Sequence, residues 1–252
     1  MVQEIASLEQ ARPQTTAEPL VCILGEEDFI SQIFHSAGLP VRTFASGADF
    51  LKNHHHSGSC CLVLDVSTPE VDGFEIQKEL ANRSEQLVFL TDHGDVPMCA
   101  RAMKAGAVDF LSKPASPEIL LEAVDRALAR SYAILAASEA RATARMKISR
   151  LTPREFAVME RVIAGLLNKQ IAAELGSAEK TIKVHRGRMM RKTGVVSVAD
   201  LVRLAVVAEI LEFPESLQPS DPGPPRHAAG GTKVRQERPH ARLAIRNEYL
   251  PD

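Results

Sequence analysis

Cys60-Cys61-Leu62-Val63-Leu64-Asp65-Val66-Ser67-Thr68-Pro69-Glu70-Val71-Asp72-Gly73 decides the fold of the first half of the chain. Cys60 to Leu64 are apolar without alternation, the pattern of a strand buried on both faces, and Pro69 and Gly73 mark the turn that follows. The run ends in a single carboxylate, Asp65. In an open α/β sheet the carboxyl ends of the strands border the ligand crevice, so an acid that ends a central strand stands where chemistry is done.

Working outward, apolar runs and amphipathic stretches alternate. Strands are predicted at Leu20–Leu24, Val41–Phe44, Cys60–Asp65, Gln86–Thr91 and Ala107–Leu111, with helices at Asp28–Ala37, Gly47–Asn53, Phe74–Asn82 and Val96–Ala105. Successive β-α-β units make a doubly wound, five-stranded parallel sheet. The helix after Pro117 carries Leu121, Leu128 and Leu135 at seven-residue spacing, with Val124 between the first two. That stripe fits a cover for the sheet and a helix-mediated dimer contact equally well.

A second domain opens at Leu151 with a nearly complete helix-start signal: Thr152 as N-cap, Pro153 at the first helical position and Glu155 three residues on. Helices are expected to about Gly165, over Asn168–Leu175, from the Gly176 turn to about Lys192, and after Ser197. Two short helices across a glycine turn are a helix-turn-helix. The division is 1–19 as a disordered leader, 20–130 as the sheet domain, 131–148 as a linker helix, 149–211 as the all-α four-helix domain, and 212–252 as a disordered Pro/Arg-containing tail.

The 252 residues are 45% hydrophobic and 25% charged, ordinary for a globular chain, and the formal net charge of -2 hides an asymmetry. Leu20 to Arg130 carries about seven more acids than bases, and Arg145 to Ile210 about seven more bases than acids. Only the second half is suited to nucleic acid. No apolar run approaches a membrane span and the N-terminus lacks a signal pattern, so a cytoplasmic protein is expected. Cys22, Cys60, Cys61 and Cys99 have no C-x-x-C spacing and read as buried reduced thiols rather than disulfides or a zinc site. His54, His55 and His56 read as a solvated loop.

Around Asp65, Glu26 and Glu27 follow the first strand, Thr91 ends the fourth, and Lys113 follows the fifth. Acids from adjacent strands suit Mg²⁺, and a hydroxyl and an ammonium opposite them suit phosphoryl oxygens, which together equip Asp65 to be phosphorylated. With Phe89 to Pro114, this constellation resembles response-regulator receiver domains of the NarL/FixJ type, whose fold is flavodoxin-like. The resemblance implies Asp65 as phosphoacceptor, Glu26, Asp65 and Ser67 as Mg²⁺ ligands, Thr91 and Lys113 as the phosphoryl-sensing pair and Phe110 as the aromatic switch. Four positions depart from the family pattern. Gly25 replaces the first of two acids, Glu26 a shorter Asp, Asp92 a small residue, and Ala115 a Phe.

Lys180-Thr-Ile-Lys-Val-His-Arg-Gly-Arg-Met-Met-Arg-Lys192 is a basic helix with Ile182, Met189 and Met190 facing inward. Together with Leu-Thr-Pro-Arg-Glu at 151–155 and Asn168-Lys-Gln-Ile-Ala172, it resembles the LuxR-type DNA-binding domain. That resemblance implies DNA contacts from Lys180, Thr181, Lys183, Val184, Arg186 and Arg188, with Gly187 where some members place a base-reaching side chain.

The combined reading is a two-component response regulator that controls transcription, not an enzyme, with promoter DNA, a sensor histidine kinase and a second copy of the chain as partners. The dimer contacts expected are the Leu121 stripe and the fourth-helix face near Met98 and Arg101. Two alternatives are a receiver that governs DNA binding without phosphorylation and, more remotely, an Mg²⁺-dependent aspartyl-phosphate phosphatase.

Overall fold

Five apolar runs assemble into one parallel sheet in the order β2-β1-β3-β4-β5: β1 (Leu20–Leu24), β2 (Val41–Phe44), β3 (Cys60–Asp65), β4 (Gln86–Thr91) and β5 (Asp109–Ser112). The computed structural model describes residues 17–25, 28–66, 73–92, 94–212 and 244–245. The expected leader up to Thr16 and most of the expected tail lie outside the described residues.

β1, β3 and β4 are buried along their whole length because both sheet faces are covered. One face packs Leu24, Phe44, Phe50, Leu62, Leu64 and Phe89 under α2 (Gly47–Asn53), α3 (Gly73–Leu80) and α4 (Val96–Lys104). The other packs Ile23, Val63, Val88 and Leu90 against Ile30 and Phe34 of α1 (Asp28–Ser36), and against Leu120, Val124 and Leu128 of α5 (Pro117–Ser149). Each fully buried Phe or Leu here contributes about 1.5–3 kcal/mol relative to exposure.

Three expectations need correction. β5 starts at Asp109, not Ala107, because Gly106 at φ 97° turns the chain and Ala107 and Val108 precede the ladder. His54 is buried rather than solvated, since its ring stacks on Phe50 with centroids 4.6 Å apart. Ala244–Ile245, within the stretch expected to be disordered, forms β7 and pairs antiparallel with β6 (Leu211–Glu212). Of the Leu121 stripe, Leu128 is buried in the core under the sheet and Leu121 packs against it, while Leu135 is half-buried outside that core.

The chain divides into two units between Ser138 and Glu139. The second unit holds α6 (Pro153–Ile163), α7 (Asn168–Glu174), α8 (Glu179–Thr193) and α9 (Val198–Val207). Its core joins Phe156, Met159, Ile171, Ile182, Met189 and Leu201 to Ala144 and Ile148 of the α5 end. The sequence signal at α6 is realised as a capping box: the Glu155 amide donates to Thr152 Oγ1 at 3.3 Å, and the Thr152 amide donates to Glu155 Oε2 at 2.9 Å. α8 ends at Gly194, whose φ of 72° is the left-handed cap that favours glycine. Among the described residues no helix is long and apolar enough to cross a membrane.

Candidate functional sites

The parallel order places the carboxyl ends of β1, β3, β4 and β5 along one edge, and β3 is the central strand. Asp65 ends β3, buried beneath that edge. Lys113 follows β5 directly, and its ammonium donates to Asp65 Oδ2 at 2.8 Å across two strands. Thr91 ends β4 between them and is buried. Its Cα faces Ser112, while Leu90 faces Asp65, so the Thr91 hydroxyl belongs to the strand end that separates acid from base. The structure thus brings Asp65, Thr91 and Lys113 together.

Phe110 is half-buried against Phe89, with ring centroids 5.9 Å apart. Gly94, which no local pattern singles out, packs against Phe110. A Cβ on Gly94 would stand 2.6 Å from the Phe110 ring and 2.9 Å from Thr91 Cγ2, so this loop lies directly against the Thr91 methyl group and the aromatic ring.

Glu26 and Ser67, the other expected metal ligands, lie outside the described residues. Gly25 is described, and its φ of 118° is a conformation that side-chain-bearing residues rarely adopt. Its amide donates to the Phe44 carbonyl at 3.2 Å. The missing acid is therefore tied to a local backbone shape, and restoring a carboxylate there would require that shape to change. Asp92 is exposed. It lines, with Lys113, Ala115, Phe29 and Leu90, a cavity of about 350 Å³ beside the Asp65 edge.

In the second unit α8 presents its basic face outward. Lys180, Thr181, Lys183, Val184 and Arg188 are exposed, whereas Ile182 and Met189 are buried as the pattern required. Lys183 is held by Glu179 at 3.2 Å, an exposed i,i+4 pair that contributes little and yields readily to a phosphate. Arg186 is half-buried and donates to Asn168 Oδ1 at 3.2 Å, linking α8 to the start of α7. Gly187 is exposed with open space around it, so a gap stands in the middle of the outward face.

Beneath that face lies a pairing that the sequence signalled only as a cap. Lys192 donates to Glu155 Oε2 at 2.6 Å, and Glu155 is 2% exposed. Burial pushes the Glu155 carboxyl up, but the bonds from Lys192 and Thr152 outweigh it and hold it below the usual carboxylate value. The same carboxylate caps α6 and anchors the end of α8, which fixes α8 against the first helix of its domain.

A buried carboxylate beside a lysine at a sheet edge, followed by an exposed basic helix in a helix-turn-helix, is the plan of a receiver joined to a DNA-binding domain. Residues 27–125 match the family described as response regulator receiver domain, and residues 149–205 match bacterial regulatory proteins, luxR family. The chain belongs to the two-component response regulators that carry a LuxR-type DNA-binding domain. It is 45% identical over 178 residues to nodulation protein W of Bradyrhizobium diazoefficiens, covering 70% of this chain and 78% of that protein. It is 42% identical over 179 residues to response regulator protein TodT of Pseudomonas putida, covering 69% and 78%. The solved structure of response regulator StyR superposes with a TM-score of 0.69 at 40% identity, covering 75% of this chain and 99% of that one.

Proposed function

We propose that Asp65 accepts a phosphoryl group from a sensor histidine kinase and that the acylphosphate controls promoter binding by α8. The observation that carries this reading is the 2.8 Å contact of Lys113 with a buried Asp65 at the end of the central strand. One Asp65 oxygen attacks phosphorus, the P–N bond of the donor phosphohistidine breaks, and the imidazole leaves with the electron pair and takes up a proton. Lys113 then moves from the carboxylate to a phosphoryl oxygen, and the Thr91 hydroxyl donates to another. Both displacements pull on strand ends that border Phe110, which supports its role as the switch.

The donor set fits Mg²⁺, though with one acid fewer than a two-acid site, because Asp65 supplies a buried carboxylate and Gly25 supplies none. The carboxylates of Asp65 and Glu26 and the Ser67 carbonyl would hold the ion, which would neutralise charge on the phosphoryl oxygens. On the output side Lys183 and Val184 reach base edges in the major groove, and Lys180, Thr181, Arg186 and Arg188 meet phosphates or neighbouring bases. Two copies bind, since one such helix reads only a few base pairs. The face of α4 near Met98 and Arg101, rather than the buried Leu128, is the dimer contact. The site of action is the cytoplasm, where promoter DNA is found.

A second reading, that the receiver works without phosphorylation, is favoured by the positive φ of Gly25, which disfavours a metal-binding acid at that position. The two are separated by incubating the full-length protein with Mg²⁺ and acetyl phosphate and measuring its mass. A gain of one phosphoryl group, lost in Asp65→Asn, supports the first; an unmodified protein with intact DNA binding supports the second.

A further inference from the structure

The opposite end of the receiver holds a cluster that phosphorylation does not use. Cys22 in β1, Cys60 at the start of β3 and His54 after α2 come from three separate elements and are 0%, 1% and 5% exposed. Cys22 Sγ lies 3.7 Å from Cys60 Sγ and 3.5 Å from His54 Nδ1, and one donor atom from each residue lies within 4.8 Å of the others. A metal bound tetrahedrally, with bonds of about 2.3 Å to sulfur and about 2.0–2.1 Å to nitrogen, spaces its donors about 3.8 Å (S to S) and about 3.5 Å (S to N) apart. Both bridging distances match those edges.

The far side of the imidazole is prepared as well. His54 Nε2 is buried without a hydrogen-bond partner and stands 3.6 Å from Glu85 Oε1. A histidine that ligates through one nitrogen directs its other N–H at a carboxylate, and a shift of a few tenths of an ångström would complete that bond. The ring plane is fixed by stacking on Phe50. Cys60 is positioned from the backbone side, where its amide donates to Ser131 Oγ of α5 at 2.9 Å.

A disulfide does not account for the sulfur contact. Cys60 is in register with Leu20, so Cys22 lies two residues further along the neighbouring strand. Strand spacings of about 4.8 Å across and about 3.3 Å per residue then place the two Cα atoms about 8 Å apart, beyond the reach of an S–S bond. A metal ion spans that gap.

We propose that Cys22, Cys60 and His54 form a buried binding site for a thiophilic d10 metal ion, Zn²⁺ or Cu⁺, with Glu85 as the carboxylate that orients His54. Soft thiolates and a neutral imidazole are the ligands such ions select. Binding would displace the thiol protons and clamp β1, β3 and the loop after α2 together, so that metal affinity appears as receiver stability.

The test uses the reduced full-length protein, stripped with a chelator and then given Zn²⁺ or, in a separate arm, Cu⁺ under anaerobic conditions. Native mass spectrometry should find one equivalent in at least one arm, and the better-retained ion identifies the occupant. Co²⁺ in place of Zn²⁺ should give a thiolate-to-metal charge-transfer band. That band should vanish in Cys22→Ser, Cys60→Ser and His54→Gln and persist in His55→Gln, whose side chain is exposed. Glu85→Gln should weaken affinity about 10- to 100-fold. X-ray absorption on the wild-type protein needs no variant and should find two sulfurs and at least one nitrogen around the ion. Failure of the full-length protein to retain one equivalent of either ion, a metal shell without sulfur, or a band that survives both cysteine replacements overturns the site.

Discussion

The Asp65 edge and the outward face of α8 do their work in opposite ways. Asp65 and Thr91 are buried and Lys113 is already engaged, so the proposed phosphorylation would have to break an existing ion pair inside a water-poor edge. The outward side chains Lys180, Thr181, Lys183, Val184 and Arg188 of α8 are exposed, with weak contacts such as Lys183 with Glu179, so the proposed output would need little rearrangement of the helix itself. Burial makes the input sensitive to each neighbouring charge, whereas screening makes the output depend on the summed charge of the helix. Departures from the family pattern therefore carry different weight: Gly25 alters the buried site, while the exposed Asp92 stands at its rim and Gly187 leaves a gap in a face that other basic residues share.

The largest expected effect removes the input alone. Asp65→Asn should abolish labelling by acetyl phosphate and leave the salt-sensitive DNA binding of residues 149–211 intact. Labelling that persists would show that another side chain is the acceptor. On the output side Ile182→Ala empties a fully buried position beneath the recognition helix and should cost about 2–5 kcal/mol of that unit's stability by denaturant unfolding. A much smaller loss would mean that α8 is not anchored through its apolar face.

Glu155→Ala removes a cap and a charge-assisted bond at once and should cost about 2 kcal/mol. Because the folded Glu155 carboxyl lies below its ordinary value of 4.5, its contribution is complete above that pH and shrinks as pH falls through the folded value. Stability followed from pH 7 to pH 3 should thus fall less steeply in Glu155→Gln than in wild type. Lys183→Ala should weaken specific promoter binding by about 1–3 kcal/mol in a titration at fixed salt if it reads a base edge. An equal loss on unrelated DNA would reduce Lys183 to a phosphate contact.

Asp92→Gly is the smallest change and sharpens the contrast most. The Asp92 side chain is exposed, so its charge is largely screened and its removal should raise the labelling rate no more than a few-fold. A rise of a hundredfold would mean that Asp92 acts directly on the incoming phosphoryl group.

Much of this architecture was legible in the residues, and the failures are instructive. β1, β3 and β4 begin and end where their sequence runs do, because strands buried on both faces keep the interior of the run apolar. Asp65, Thr91 and Lys113 could be placed together because strand ends in a parallel sheet converge whatever their separation in sequence. β5 was displaced by two residues because Ala107 and Val108 are as apolar as a strand but follow a turn at Gly106. His54 was misread because its neighbours Lys52, Asn53 and His55 are polar, while the surfaces that bury it, Phe44 and Phe50, depend on how α2 packs. Its approach to Cys22 and Cys60 follows from the register of β1 on β3, which no local pattern encodes.

The central claim is that chemistry at Asp65 is transmitted to α8, and the affinity of the full-length protein for its promoter tests it most directly. Fluorescence anisotropy with Mg²⁺, with and without beryllofluoride, should be compared for wild type and Asp65→Asn. The account predicts that beryllofluoride changes wild-type affinity at least tenfold, about 1.4 kcal/mol, and leaves Asp65→Asn unchanged. Equal wild-type affinity in the two conditions, with the adduct on Asp65 verified by mass, would contradict it.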